Sequence, residues 1–256
     1  MVDRDVRIIN ILTVHKNVKV SFLAELLDVS QVTVRRDLDN LEQRGMICRS
    51  HGYACLSGVE ESAKKNEISH SVKRRIAKAA AATVDDGETV MIESGSCCAL
   101  FAEELALSRK NNTIITNSAF IANFMIRFPH IKIILLGGYF QPDSQVLVGP
   151  MTAKCGESFY ADKFFVGAAG FVPGLGFSGK DHLRTETVTE LIERANKVYV
   201  LTEAAKFFYR GMCNMLRFDR ISGVFTDEGI PEDAETALLE NNVRLHKVPL
   251  PSNELF

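Results

Sequence analysis

Asp28-Val29-Ser30-Gln31-Val32-Thr33-Val34-Arg35-Arg36-Asp37-Leu38-Asp39-Asn40-Leu41 reads as a turn, a helix cap and a helix with two unlike faces. Ser30 can cap that helix, because its hydroxyl can accept from an unpaired backbone N–H two or three residues on. Val34, Leu38 and Leu41 recur at i, i+4 and i+7, one apolar face of a 3.6-residue period. Val32, Arg35, Arg36 and Asp39 fall on the opposite side. A helix held by one face, with arginines and a short apolar residue on the other, suits the DNA major groove. There arginine bonds guanine edges bidentately and a small apolar group touches a thymine methyl. The expected DNA-facing residues of this helix are Ser30, Gln31, Val32, Thr33, Arg35 and Arg36.

The flanking residues extend the pattern. Asp5 to Val14, with Val6, Ile9, Leu12 and Thr13/Val14 as apolar positions, predicts a first helix. Ser21 is expected to cap a second, short helix through Leu27, which buries Val20, Leu23, Ala24 and Leu27. The link to the third helix is short, as in a helix-turn-helix. Gly45 is a stop signal, and Ile47-Cys48-Arg49 and Tyr53-Ala54-Cys55-Leu56 flank Ser50-His51-Gly52 as a hairpin wing. Arg49 and His51 are expected to meet phosphates. Residues 1–56 therefore predict a winged helix-turn-helix, residues 57–71 a polar, aperiodic linker, and residues 72–256 a second domain.

Composition bounds the reading. At 256 residues, 46% of them apolar, the chain has material for a small domain and a medium one with a core. A net charge of −2 excludes a general nucleic-acid coat, whereas residues 1–75 carry thirteen Lys/Arg against ten Asp/Glu, a mildly basic head. The cysteines at 48, 55, 97, 98, 155 and 213 show no C-x-x-C spacing. Cys48, His51 and Cys55 lack a fourth ligand nearby, so reduced thiols without a metal site are expected. No apolar run approaches the ~20 residues a membrane helix needs, and the N-terminus lacks a signal-peptide pattern. A cytoplasmic protein without a bound cofactor is expected.

From Ile76 to Val84 the chain is Ala-rich and helical in character, and a repeated grammar follows. Apolar strands run into turns of Gly, Ser, Asn or Thr, usually followed by an amphipathic helix. Val90-Met91-Ile92 leads to Glu93-Ser94-Gly95-Ser96 and a helix from Cys97 to Leu105. Thr113-Ile114-Ile115 leads to Thr116-Asn117-Ser118 and a helix from Ala119 to Phe128. Ile131 to Leu136 leads to Gly137-Gly138, and Lys163 to Val166 to Gly167-Ala168-Ala169-Gly170. Lys197–Leu201, Ile221–Phe225 and Val243–Val248 complete the set. Continuously apolar strands alternating with helices predict an α/β domain with a largely parallel sheet. Ligands bind such sheets beyond the carboxyl ends of the strands, where these turns fall. Ser94, Gly95, Ser96 and Cys97 opening one helix and Thr116, Asn117 and Ser118 opening the next are candidate anion cradles, and Lys206 adds a cation. A thiol at a helix start is shifted towards thiolate, so Cys97 is expected to be the most reactive of the six cysteines if its pocket is open, or else to be a small, buried and inert side chain.

In both domains the chain resembles the DeoR family of bacterial transcriptional regulators. The resemblance rests on Val29-Ser30, Thr33-Val34-Arg35-Arg36-Asp37-Leu38, Leu41-Glu42, Gly45 and Arg49-x-His51-Gly52. It continues through Glu93-Ser94-Gly95-Ser96-Cys97, Thr116-Asn117-Ser118, Gly137-Gly138, Asp162-x-x-Phe165-x-Gly167-x-x-Gly170 and Lys206. Four departures stand out: Tyr53 for a second wing glycine, Glu93 for aspartate, Cys97 for threonine, and Glu203-Ala204-Ala205-Lys206 for Asp-Ser-Ser-Lys. The resemblance implies a sugar-phosphate-isomerase-like effector domain, with Gly137, Gly138, Asp162, Gly167, Gly170 and Lys206 beside the two cradles. It further implies a homo-oligomeric repressor of a carbohydrate-utilisation operon, released from a double-stranded operator by a phosphorylated sugar or related metabolite.

Two other readings compete. Gly174-Leu175-Gly176-Phe177-Ser178-Gly179 matches G-x-G-x-x-G, but a dinucleotide cradle needs it directly between strand and helix. Here Val172-Pro173 precedes it and Lys180-Asp181-His182 follows. An isomerase with an appended DNA-binding head would need a general base near a cation. Asp162, Glu186 and Lys206 are the available set, without a convincing acid–base pair, so no catalytic residue is expected.

Overall fold

The computed structural model describes residues 4–5, 7–8, 11–12, 17–43, 47–50, 52–56 and 59–250. They form two compact units, Met1–Ile68 and Ser69–Phe256.

In the first unit, Arg4, Asp5, Arg7, Ile8, Ile11 and Leu12 are helical, and Ile8 and Leu12 are buried one turn apart. Val6, Ile9, Thr13 and Val14, expected on this helix, lie outside the described residues, as does Gly45. Strand β1 (Asn17–Lys19) runs straight into α1 (Val20–Leu27), so the helix starts one residue before Ser21. Ser21 does not cap it: the cap position is Lys19, and no side chain bonds there. Asp28 turns the chain with φ 52°, a left-handed conformation that a short polar side chain tolerates. Helix α2 (Gln31–Gln43) follows, with Val34, Leu38 and Leu41 wholly buried among Leu23, Leu27 and Ile47. Strands β2 (Ile47–Ser50) and β3 (Tyr53–Leu56) pair antiparallel, with Gly52 in the turn before β3, and β1 adds a third strand against β3. Gly52 sits at φ 83°, which explains glycine at the wing tip. Tyr53, in place of a second glycine, begins β3 with Lys19 Nζ 5.6 Å from its ring centre.

Residues 59–71 are not an irregular linker, for α3 (Val59–Ala81) runs through them without a break. Glu60 and Lys64, and Glu61 and Lys65, are spaced i,i+4 among good helix formers, so a polar stretch without apolar period still favours a helix. From Val72 onward α3 buries Ile76, Ala77, Ala80 and Ala81.

The second unit is built on seven parallel strands, β4 (Thr89–Ile92), β5 (Thr113–Thr116), β6 (Lys132–Leu135), β9 (Ala161–Gly167), β12 (Ala195–Leu201), β14 (Gly223–Asp227) and β15 (Arg244–Val248). Their order is β15-β14-β12-β9-β4-β5-β6, so the chain winds outward both ways from the β4–β9 pair. Alternate residues feed two cores. Val90, Ile92 and Phe165 pack with α3 and α4 (Ser96–Leu107) on one face. Met91, Phe164 and Val166 pack with α7 (His182–Ile192) and α8 (Glu232–Glu240) on the other.

Between β5 and β6, α5 (Ala119–Phe124) gives way to a single 3₁₀ turn, Met125–Arg127, earlier than expected. Phe128 precedes Pro129, which disfavours the helical region for it, and its φ of −118° leaves the helix. A ribbon of β7 (Tyr139–Gln141) and β8 (Val146–Val148), then α6 (Pro150–Gly156), leads back to β9. Strands β10 (Gly170–Val172), β11 (Gly176–Gly179) and β13 (Cys213–Arg217) form a small antiparallel sheet. The G-x-G-x-x-G stretch is the turn and second strand of the β10–β11 hairpin. No helix follows its first strand, so the dinucleotide geometry is absent there. Gly176, at φ 116°, would place a Cβ 2.1 Å from the Leu216 carbonyl, so packing accounts for this glycine.

Candidate effector pocket and DNA-facing helix

On α2 the two faces separate as the spacing predicts. Val32 is 74% exposed, and Gln31, Arg35, Arg36 and Asp39 are exposed beside it. Ser30 accepts from the Thr33 backbone N–H at 3.2 Å, with its hydroxyl 2.9 Å from the Thr33 hydroxyl, so it caps the helix. Asp37, on the buried side, pairs with Arg4 at 2.5 and 3.0 Å and ties α2 to the first helix. Arg49 is engaged within the unit: its guanidinium lies 2.5 Å from Asp39 and 2.6 Å from Glu42. Those carboxylates, Glu42 foremost, raise its pKa and hold the wing to α2. In this structure its guanidinium is engaged by two carboxylates of α2. His51 lies outside the described residues.

In the second unit a pocket of about 200 Å³ opens at the carboxyl ends of β4 and β9, where the sheet's winding reverses. Ligand sites in open α/β sheets fall at such switch points. Glu93, Ser94 and Gly95 line it from β4, Gly167, Ala168 and Ala169 from β9, and Gly179, Lys180 and Asp181 from the end of β11. Arg184, Thr185 and Val188 of α7 close one wall, with Met215 and Lys206 completing it. Gly95 takes φ 105° and no side chain caps α4, so the first N–H groups of that helix begin at the pocket edge. An anion is favoured there by those donors and by the helix dipole.

The electrostatic centre is Arg184. Its Nη2 donates to the Glu93 carboxylate at 2.9 Å and to the Ser94 hydroxyl at 2.6 Å, and Ser94 donates to Glu93 at 2.7 Å. Glu93 is buried, and Arg184 supplies its counter-charge from a third-exposed side chain. Asp181 caps α7 by accepting from the Arg184 backbone N–H at 2.8 Å, which lowers its pKa and fixes the turn presenting Arg184. With Lys180, Arg184 and Lys206 against Glu93 and Asp181, the lining carries one net positive charge.

Of the thirteen residues expected around the effector, Ser94, Gly95, Gly167 and Lys206 line this pocket. Ser96 and Cys97 follow in the first turn of α4, but Cys97 is buried. Burial, with Glu203 adding to it, pushes its thiol up to about 12, which favours the buried, inert alternative. Desolvation outweighs the helix terminus. Thr116, Asn117 and Ser118 are buried in structural roles. Thr116 accepts from the Ser118 N–H, Asn117 donates to the Leu147 carbonyl, and Ser118 caps α5. Gly138 allows close approach of Thr152, whose hydroxyl lies 1.8 Å from where a Cβ would sit, and Gly137 faces Cys155. Gly170 packs against the Tyr209 carbonyl. Asp162 lies at the start of β9, the opposite edge of the sheet, where it accepts from the Thr89 N–H at 2.9 Å. Glu186 is exposed beside His182 on a separate groove of α7. The structure therefore does not bring Asp162, Glu186 and Lys206 together.

Arg184, Lys180 and Asp181 are the pocket residues the sequence reading missed. The available signal was Asp181 opening a helix three residues ahead of an arginine, directly after a glycine-ended strand. Among the described residues, no group of three His, Cys, Asp or Glu side chains could hold a metal ion. No helix among them is long and apolar enough to cross a membrane.

Comparison with known proteins agrees with this two-unit organisation. Residues 4–57 match the DeoR-like helix-turn-helix domain, and residues 68–228 match the DeoR C terminal sensor domain. The chain belongs to the DeoR family. It is 32% identical to the HTH-type transcriptional regulator GolR of Listeria innocua, over 89% of this chain and 91% of that one. It is 27% identical to the glycerol-3-phosphate regulon repressor of Escherichia coli, over 87% and 89%. Among solved structures it resembles ribose 5-phosphate isomerase A from Methanocaldococcus jannaschii, 20% identical over 53% of each chain with a TM-score of 0.39. The chain is a helix-turn-helix transcriptional regulator.

Proposed function

We propose that this regulator is a repressor of carbohydrate genes that leaves its operator when a small phosphorylated sugar or related metabolite occupies the pocket of Arg184. The observation that carries this reading is the convergence of Lys180, Arg184 and Lys206 with the open N-terminus of α4 at the sheet's switch point. Cations and aligned backbone donors together favour a phosphate over a neutral sugar. A relative named for glycerol 3-phosphate supports the same ligand class. In the reading unit, Gln31, Val32, Arg35 and Arg36 face the bases, and Ser30 and Thr33 orient the helix start. The repressor acts as a homo-oligomer, because two-fold operators need paired heads.

A thermal-shift panel of phosphorylated sugars, each beside its unphosphorylated parent, tests the pocket. Stabilisation by phosphorylated members alone, lost in Lys206→Ala, is expected. Equal shifts with the parent sugars, or none with any phosphate, would overturn the reading.

A further inference from the structure

The turn that presents Lys206 to the pocket also grips α3. Leu201 ends β12, and Glu203 to Lys206 form one tight turn, with the Lys206 N–H donating to the Glu203 carbonyl at 2.9 Å. The Ala204 N–H donates to Asp227 at 2.8 Å, which anchors the middle of the turn to the end of β14. On its far side, the Glu203 carboxylate accepts from the Ser69 hydroxyl at 2.6 Å and lies 3.4 Å from Lys73 Nζ. Ser69 and Lys73 are one turn apart on α3, and Glu203 and Lys73 are largely shielded from water. These are two charge-assisted contacts in a semi-buried setting, stronger than a surface pair. Helix α3 begins at Val59 within the first unit and ends at Ala81 within the second.

We propose that Glu203 is a positioning residue that couples pocket occupancy to α3: an anion held by Lys206 fixes the 203–206 turn, and Glu203 then clamps Ser69 and Lys73. The proposal rests on the anion-pocket reading above. Its physical requirement is a differential contact, since a ligand shifts an equilibrium only by binding the two states unequally. The turn supplies that difference. Lys206 is half-buried on a short turn, and the competing state is one in which Glu203 has released Ser69 and Lys73. With an anion bound, both ends of the turn are fixed and the clamped arrangement gains population. Coupling energies between sites typically correspond to 5–150-fold changes.

Hydrogen–deuterium exchange on the full chain, with inorganic phosphate as probe and chloride at equal ionic strength as control, tests this. Phosphate is expected to slow exchange at residues 93–97, 203–208 and 69–76, the last by about fivefold or more. In Ser69→Ala/Lys73→Met, slowing at 93–97 and 203–208 persists and slowing at 69–76 is lost. Both replacements suit a helix, and Glu203→Ala removes the clamp from the other side as a second check. Protection at 93–97 with unchanged or faster exchange at 69–76 overturns the coupling alone, as does equal slowing at 69–76 in the variant. No protection at 93–97 overturns the anion pocket and the coupling with it.

Discussion

At the residue scale, burial decides what each side chain can do. Arg35 and Arg36 stand exposed on a helix anchored by fully buried Val34, Leu38 and Leu41. Replacing both arginines with alanine is therefore expected to leave folding intact. It should cost ~1–3 kcal/mol per lost base contact and relax sequence preference at those positions. Fluorescence anisotropy against duplexes selected from a random library measures both, and unchanged affinity and preference would remove α2 from recognition. Cys97 sits at a helix start that favours thiolate, yet its burial raises the pKa to about 12. It is expected to alkylate with iodoacetamide more slowly than the part-exposed Cys213 at pH 8. Faster labelling of Cys97, mapped by mass spectrometry, would mean that the turn above it opens. Arg184→Ala removes the counter-charge of buried Glu93 and is expected to lower stability by about 2–3 kcal/mol in a denaturant titration. The value lies below the ~3–5 kcal/mol of a fully buried pair because Arg184 is a third exposed.

At the element scale, the cap of α7 makes stability depend on pH. Asp181 holds its pKa below the ordinary carboxylate value, chiefly by accepting from the Arg184 backbone N–H. A depressed folded pKa stabilises above the unfolded value of ~3.9 and is lost as pH falls through the folded one. Asp181→Ala is accordingly expected to cost ~0.5–2 kcal/mol at pH 7, and the gap to the native chain should shrink below about pH 4. A gap independent of pH would assign the effect to helix propensity alone. Elements were legible in proportion to their apolar pattern. The inner strands stand out because a parallel sheet covered on both faces needs continuously apolar runs, whereas β15, Arg244-Leu245-His246-Lys247-Val248, is an edge strand with a weaker pattern. The recognition helix stands out because one apolar face must dock on its neighbours. The polar stretch 59–71 carries no such pattern, so its helix was hidden despite good Glu/Lys spacing. Arg184 was hidden because a pocket wall assembled from α7 and the end of β4 depends on strand order, which no local run encodes. Thr116-Asn117-Ser118, which does not line the pocket of Arg184, shows the opposite case: polar residues after a strand serve caps and turns as readily as ligands.

At the scale of the whole molecule, a DNA-reading unit and a switch-point pocket are joined in sequence by one unbroken helix, α3. Within the second unit, that helix is held by Glu203, on the turn that also presents Lys206. The central claim is that an anion in the Arg184 pocket governs DNA affinity. The most direct measurement takes the native chain on a duplex selected from a random library and follows anisotropy against each phosphorylated sugar that raises its melting temperature. DNA affinity is expected to fall by fivefold or more, the usual lower bound for coupled sites. The unphosphorylated parent should have no effect, and Lys206→Ala should abolish the response while keeping DNA binding. Unaltered DNA affinity at a ligand concentration that saturates the pocket would contradict the claim.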